Sequence, residues 1–343
     1  MIEPILLKRH QIDDQAWNML IDEARHSVVY AYTWYLDCVS PQWQALVLVE
    51  SGESIAKGTL TSDQAGTFPF EYSIVMPLPI RKKWGLSVVQ QPLYCQYLGM
   101  FSKEEVSEVE MARFLKSLNR HFAYISVYDF HPRYTSMLRK LLSSYADFES
   151  QEKATHWLNL KKPYAEIANG YTNDRVKNLK KSRKYNWEWA DSDDIEPLIQ
   201  LFKDNHETQI QNVQESAYVL LRHLTQILLD KNVASIQYAY RQGTLHAGVM
   251  ILESTGMGIY IFNAADAIGR KGNARTFLLD RYFQQSAGQL KIFDFESPEV
   301  ESIAQFYESF GTELQSFIAI KKNKLPFPFR QLQNWRKGWL KAT

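Results

Sequence analysis

The sequence predicts an α/β (α+β) protein of two domains, residues 1–162 and 163–343. Three observations carry this. Strand-like and helix-like runs alternate along all 343 residues, a length that one core rarely serves. The same order of runs occurs twice: strands, a helix, VYDF (127–130), a helix and HWLNLKK (156–162), then strands, a helix, IFDF (292–295), a helix and FIAIKK (317–322). Self-similarity of this kind points to two copies of one unit, and chance likeness of ordinary α/β patterns is the alternative. Finally, Pro163 falls at a break between a strand run and a long helical run, where a junction is expected.

The elements follow in order. Helical patterning opens at Asp13-Asp14 and runs through Trp17, Leu20, Ile21 and Ala24. QALVLVE (44–50) reads as a buried strand, and further strand-like runs pass through Tyr72-Ser-Ile-Val and Tyr94–Met100. Ser102-Lys-Glu-Glu has the spacing of a capping box, which predicts a helix from there to about His121. AYISVYDF (123–130) predicts a strand, 134–145 a helix and 155–160 a strand. One helix is expected over 164–185, with two more near 194–210 and 215–230. Strands are expected at 234–240, 247–252 and 258–263, and a helix over 273–287. Strand 291–295, helix 300–310 and strand 314–320 precede a basic tail.

Composition narrows the class. Apolar residues make up 45% and charged residues 22%, as in folded globular proteins. A net charge of +1 makes any polyanion site local. The two cysteines, Cys38 and Cys95, form neither a metal-ligand spacing nor a disulfide framework. No metal is expected, the histidines are scattered, and His206-Glu207 lacks a partner at metal-binding spacing. The first residues lack a signal-peptide pattern, and no apolar run approaches the ~20 residues of a membrane helix, so a cytoplasmic location is expected.

Three stretches bear on chemistry. After the 258–263 strand, Gly269-Arg270-Lys271-Gly272-Asn273-Ala274 leads into a helix, whose first amides suit a phosphate; a plain connection is the alternative. In NDRVKNLKKSRKY (173–185), Lys177, Lys180, Lys181 and Lys184 share one helical face, with Val176 and Leu179 on the other. That face suits phosphates of a nucleotide, a coenzyme or an RNA end, or is simply solvated. In FDFESPEVESIAQFYESFG (293–311), strand alternation puts Asp294 and Glu296 on one side at a strand's C-terminal end, where a carboxylate can orient an amine or take its proton. A strand-end cap using Ser297 or Glu296 around Pro298 is the other reading.

The run Asp294-Phe295-Glu296-Ser297, then Phe306-Tyr307-Glu308-Ser309-Phe310-Gly311, resembles a signature of the GNAT acyltransferase superfamily, in the tandem-domain branch of the Fem peptidoglycan-bridge aminoacyltransferases and related acyl-CoA N-acyltransferase-like proteins. Pro77-Leu78-Pro79, Lys82-Lys83-Trp84-Gly85, Gln91-Pro92 and Gln96-Tyr97-Leu98-Gly99 are similar too. The resemblance implies two tandem GNAT-like domains, each with a mixed, mostly antiparallel sheet flanked by helices. It implies transfer of an acyl group from a coenzyme A thioester to an amine on a small molecule or glycoconjugate. Aminoacyl-tRNA as the donor, and nucleotide or RNA binding without catalysis, are the alternatives.

On this resemblance Asp294, Glu296 and Tyr307 are catalytic candidates; Asn263 and residues Gly269, Arg270, Lys271, Gly272, Asn273 and Ala274 are cofactor-binding candidates; and Lys177, Lys180, Lys181 and Lys184 are phosphate or substrate contacts. Oxyanion-facing amides are expected from a splayed strand over 261–264. The chain departs from the pattern where the family has glycine before serine, where Tyr307 replaces a lysine, and where Gly269 replaces Gln or Arg in the pyrophosphate loop. No stable protein partner is expected. The tail 321–343 holds seven bases and no acid, with Leu332, Trp335 and Trp339 at helical spacing. It is expected to pack on the domain, with peripheral contact to an anionic membrane as the alternative.

Overall fold

The computed structural model describes residues 3–49, 71–83, 85–205, 214–296, 300–325 and 327. Along the first half run β1 (Ile5–Lys8), α1 (Asp14–Glu23), α2 (Thr33–Val39), β2 (Gln44–Val49), β3 (Tyr72–Leu78), β4 (Ile80–Lys83), β5 (Leu86–Gln90), α3 (Glu108–His121), β6 (Tyr124–Asp129), α4 (Thr135–Leu141) and β7 (Glu149–Asn159). The second half has α5 (Tyr164–Asn169), α6 (Asn173–Arg183), β8 (Glu188–Ser192), α7 (Glu196–Asn205), α8 (Glu215–Asp230), β9 (Ala234–Arg241), β10 (Thr244–Ser254), β11 (Met257–Ala265), α9 (Ala267–Lys271), α10 (Ala274–Ser286), β12 (Ile292–Asp294), α11 (Glu301–Glu308) and β13 (Glu313–Asn323).

The chain divides into two compact units, Met1–Lys153 with Phe317–Thr343, and Ala154–Ser316. This differs from the expected division at 162/163, and the ladders give the reason. β6 pairs antiparallel with β13, Ala319 opposite Asp129, although β13 comes last in the sequence. β12 pairs antiparallel with β7, Asp294 opposite Trp157. Each unit thus takes its final strand from the other half of the sequence, so Pro163 lies inside the second unit. Otherwise the pairing repeats: β5 runs parallel to β6 as β11 runs parallel to β12, and antiparallel hairpins precede both pairs.

In the first unit β1, β2 and β3 form a separate antiparallel sheet. α1 starts where the sequence suggested, with the Asp13 carboxylate accepting from Ala16 N at 3.0 Å. It buries Trp17, Leu20 and Ile21, and the Trp17 ring meets Trp43 edge-on at 5.0 Å. The capping box lies five residues later than expected. Ser107 and Glu110 close it and start α3, whereas the Ser102 hydroxyl accepts from Glu104 N within a turn. The run 94–100 is no strand: Tyr94 sits at φ 58, and only Leu98 forms a bridge, to Phe130.

His131 follows β6 and is 4% exposed, its Nδ1 accepting from Arg133 N at 3.2 Å. Burial first, then the charges of His26 and Arg133, hold it well below its ordinary value of 6.5. The folded state therefore keeps His131 neutral while the unfolded chain takes up a proton near pH 6.5. Above that pH the residue has no effect on stability; as pH falls below it the unfolded state is favoured. Melting temperatures measured from pH 7.5 to 5.5 are expected to fall less in His131→Asn than in the native chain, and parallel curves refute this.

The second unit packs α5, α6, α10 and α11 on one face of its sheet around Phe283, Phe293, Phe295, Tyr307 and Phe310. The helix expected over 164–185 breaks at Gly170 into α5 and α6. The break lets Gly170 meet Gly311, which has φ +75; a Cβ on Gly311 would lie 2.6 Å from Gly170 O. Gly311→Ala combines a left-handed backbone with a backbone clash, and is expected to cost roughly 3 kcal/mol in urea unfolding. An unchanged unfolding midpoint contradicts that packing. Among the described residues no helix is long and apolar enough to cross a membrane. Ser297, Trp84, the His206-Glu207 pair and the tail helix with Leu332, Trp335 and Trp339 lie outside the described residues.

Candidate active site

The polar centre of the second unit is built by β11, β12, α10 and α11. β11 and β12 pair only over Met257–Ile259 and Ile292–Asp294. β12 then ends while β11 continues to Ala265, paired only with β10 among the described residues. Along that stretch Tyr260 faces Ile251 and Phe262 faces Met250, so Ile261 is a one-residue bulge. In a regular strand residues 260 and 263 would point to opposite faces. The bulge puts both Tyr260 and Asn263 toward Tyr307 of α11, whose ring centre is 6.1 Å from that of Tyr260.

Asn263 joins two of these groups. Arg275 Nη1 donates to Asn263 Oδ1 at 2.7 Å. A guanidinium can only donate, so the carbonyl end of Asn263 faces Arg275, and the same side chain is hydrogen-bonded to the Tyr307 hydroxyl. Burial, the largest cause, pushes the phenol up to about 12; Arg275 and the Asn263 bond oppose the shift, and Glu296 adds to it. Tyr307 is therefore protonated throughout the neutral range.

Of the expected site residues, Asn263, Glu296 and Tyr307 come together here. Asp294 does not. It is 1% exposed, accepts from the Thr155 hydroxyl, from Trp157 Nε1 at 2.9 Å and from Glu296 N at 2.9 Å, and serves as the cap of its own strand end. Glu296 lies beyond the strand at φ 46, so the expected alternation that put the two acids on one side does not apply. Phe293 and Phe295 enter the core, and Asp294 turns to β7.

The loop 269–274 is not an open glycine turn. Gly269, Arg270 and Lys271 belong to α9, whose N-terminus is already closed by the Asp266 carboxylate on Gly269 N. Arg270 folds back to Ala265 O at 2.7 Å. Both glycines are there for packing: a Cβ at Gly269 would meet His246 O, and at Gly272 the rings of Trp187 and Tyr185. Asn273, left-handed at φ 56, leads into Ala274 at the start of α10 without a side-chain cap. That helix start, close to Arg275, is the part of the loop that still suits an anionic group of a carrier.

Lys177, Lys180 and Lys181 on α6 and Lys184 at its C-cap are all exposed, Lys177 pairing with Asp174 at 3.5 Å. The face that turns inward carries Arg175, Leu179 and Ser182, where Val176 and Leu179 were expected. Arg175 is 4% exposed and lies 4.2 Å and 4.4 Å from the ring centres of Phe306 and Phe310. It donates to Ser309 Oγ at 2.9 Å, to Thr276 Oγ1 and to Phe306 O at 3.3 Å. The Phe-x-x-x-Phe-Gly run is thus a clamp on one arginine and one glycine. Arg175, Arg275 and Tyr260 were missed in the sequence; the signal was the spacing of Arg175 four residues before Leu179 on the buried face.

No protein-family model and no curated protein sequence matches the chain. Solved structures do resemble it. FemX superposes with a TM-score of 0.65 at 11% identity, covering 94% of this chain and 98% of its own. A tandem GNAT protein from the clavulanic acid biosynthesis pathway gives 0.53 at 11% identity over 94% and 99%. L-PGS from Bacillus licheniformis gives 0.51 at 10% identity over 94% and 96%. With the two units, their mixed and mostly antiparallel pairing and the parted β11 and β12 already established, these likenesses identify the fold: the chain has the tandem fold that FemX and the tandem GNAT protein share.

Proposed function

We propose that the protein is an acyltransferase that moves an acyl group from a coenzyme A thioester to the amine of a small molecule or glycoconjugate. The observation that carries this reading is the parting of β11 from β12 with Tyr307, Asn263 and Arg275 at its mouth. A thioester supplies an acyl carbon already activated for attack by an amine. The residues then need only to hold the two substrates together and to manage charge and protons. β11 from Tyr260 to Ala265, unpaired with β12, offers a backbone edge toward the acyl carbonyl. Tyr307 holds a proton at its oxygen, oriented by Asn263, for the leaving atom of the carrier. Glu296, half-buried and with its charge felt at Tyr307, is the carboxylate left for the amine's proton, since Asp294 accepts from three donors. The start of α10 with Asn273 and Ala274 is the place for the carrier's phosphates.

Aminoacyl-tRNA is the second reading for the donor, favoured by the exposed row Lys177, Lys180, Lys181 and Lys184. The protein is mixed with coenzyme A, with acetyl-coenzyme A plus an amine panel, and with aminoacyl-tRNA. Protection from melting by coenzyme A and release of free thiol with an amine support the first reading. Protection by tRNA alone, lost when Lys180 and Lys181 become Ala, supports the second. Binding without turnover of either donor leaves a nucleotide-binding protein and overturns the enzyme reading.

A further inference from the structure

Arg275 is a half-buried cation with no carboxylate at ion-pairing distance among the described residues. One guanidinium nitrogen donates to Asn263, and the guanidinium carbon lies 5.4 Å from the Phe306 ring centre. Its other N–H groups have no acceptor among the described residues. A second guanidinium lies against the same ring: Arg175, 4.2 Å away and likewise held only by neutral acceptors. Burial, with the charge of Arg275 adding to it and Tyr171 opposing, pushes Arg175 down to about 10. The nearby acids do not relieve this. Asp280 is taken up by Tyr164, Tyr171 and Gln284, and the charge of Glu296 is felt at Tyr307. The uncapped start of α10, where Arg275 is the second residue, adds positive potential.

A second donor faces the same place. Tyr260 is 2% exposed, its hydroxyl has no hydrogen-bond partner among the described residues, and it lies in the field of Arg275 and Tyr307. A buried hydroxyl without an acceptor costs free energy that apolar packing alone does not explain. The single Asn263 side chain links the Arg275 guanidinium to the Tyr307 hydroxyl, and the charge of Arg275 is felt at Tyr307, so a group held by Arg275 lies near that hydroxyl.

We propose that Arg275, with the Tyr260 hydroxyl, receives a carboxylate carried by the substrate, so that either the transferred acyl group or the accepting amine is an acidic one. Placing that carboxylate next to the reacting centre rests on the transfer reading above; the carboxylate site itself is tested without it. Binding is measured by calorimetry for matched pairs: succinyl-coenzyme A against butyryl-coenzyme A for the donor, glycine against glycinamide for the acceptor, and free succinate against succinamide. The native protein is expected to prefer the charged member of the donor or acceptor pair by about tenfold or more, as for a charged hydrogen bond. Arg275→Gln removes that preference by weakening the charged member more than the neutral one, while Arg275→Lys retains part of it. Tyr260→Phe lowers the preference a few-fold without lowering the melting temperature. Absence of any preference, or equal loss of both members in Arg275→Gln, overturns the proposal. If no thioester binds but succinate or glycine is still discriminated through Arg275, the transfer reading fails and the carboxylate site stands.

Discussion

Replacing Tyr307 with phenylalanine is expected to lower kcat by about 10²–10³-fold with little change in KM or fold. The substitution keeps the ring, which stacks on Phe295 with centres 4.6 Å apart, and removes only the hydroxyl. The buried phenol, pushed up to about 12, keeps its proton at neutral pH and is hydrogen-bonded to Asn263. Loss of one positioned acid costs orders of magnitude in rate. Loss of one hydrogen bond to Asn263 costs only about 1 kcal/mol of stability. The two readouts therefore separate. Steady-state kinetics with an unchanged kcat would remove Tyr307 from the chemistry, and a large fall in melting temperature would make it a packing residue. Because the phenol stays protonated up to about 12, no alkaline loss of activity below pH 10 should be traceable to it.

Asp294→Ala is expected to destabilise the second unit by about 3–5 kcal/mol, lowering its melting temperature by roughly 10 °C. The carboxylate is 1% exposed and accepts from Thr155, Trp157 and the Glu296 amide. Truncation leaves three donors, two of them buried, without their acceptor at the end of a three-residue strand, Ile292–Asp294. Asp294→Asn keeps one acceptor oxygen but turns an NH₂ toward a donor, so a smaller loss is expected. A melting curve for Asp294→Ala that overlays the native one, together with lost activity, would return Asp294 to the catalytic role first expected from the sequence.

Much of the fold was legible without coordinates because it is written in local periodicity. The helices at Asp14–Glu23 and Glu215–Asp230 and the strand Gln44–Val49 follow from spacing of apolar residues alone. So does the duplicated order around Tyr128-Asp129-Phe130 and Phe293-Asp294-Phe295, in which the phenylalanines Phe293 and Phe295 turn into the core and Asp294 away from it. Asn263, Glu296 and Tyr307 were reached through short motifs, since each lies where a strand or helix ends.

Only the tertiary structure decided the rest. The exchange of β7 and β13 is a choice of partner between two strands of similar pattern, and a pattern of period two does not name its partner. The meeting of Tyr260 with Asn263 needs the bulge at Ile261, a feature of the ladder to β10 rather than of any local residue preference. Whether Asp294 or Glu296 faced the open site depended on where β12 stopped and on a left-handed turn at Glu296. Arg175 read as one more base in the stretch 173–185, and Arg275 was not singled out, until packing placed both against one ring, Phe306, away from the lysines that stay in water. Sequence by itself determined which faces are apolar and how often the unit repeats; it could not determine which polar groups those faces carry inside, because burial of a charge is decided by what lies across from it.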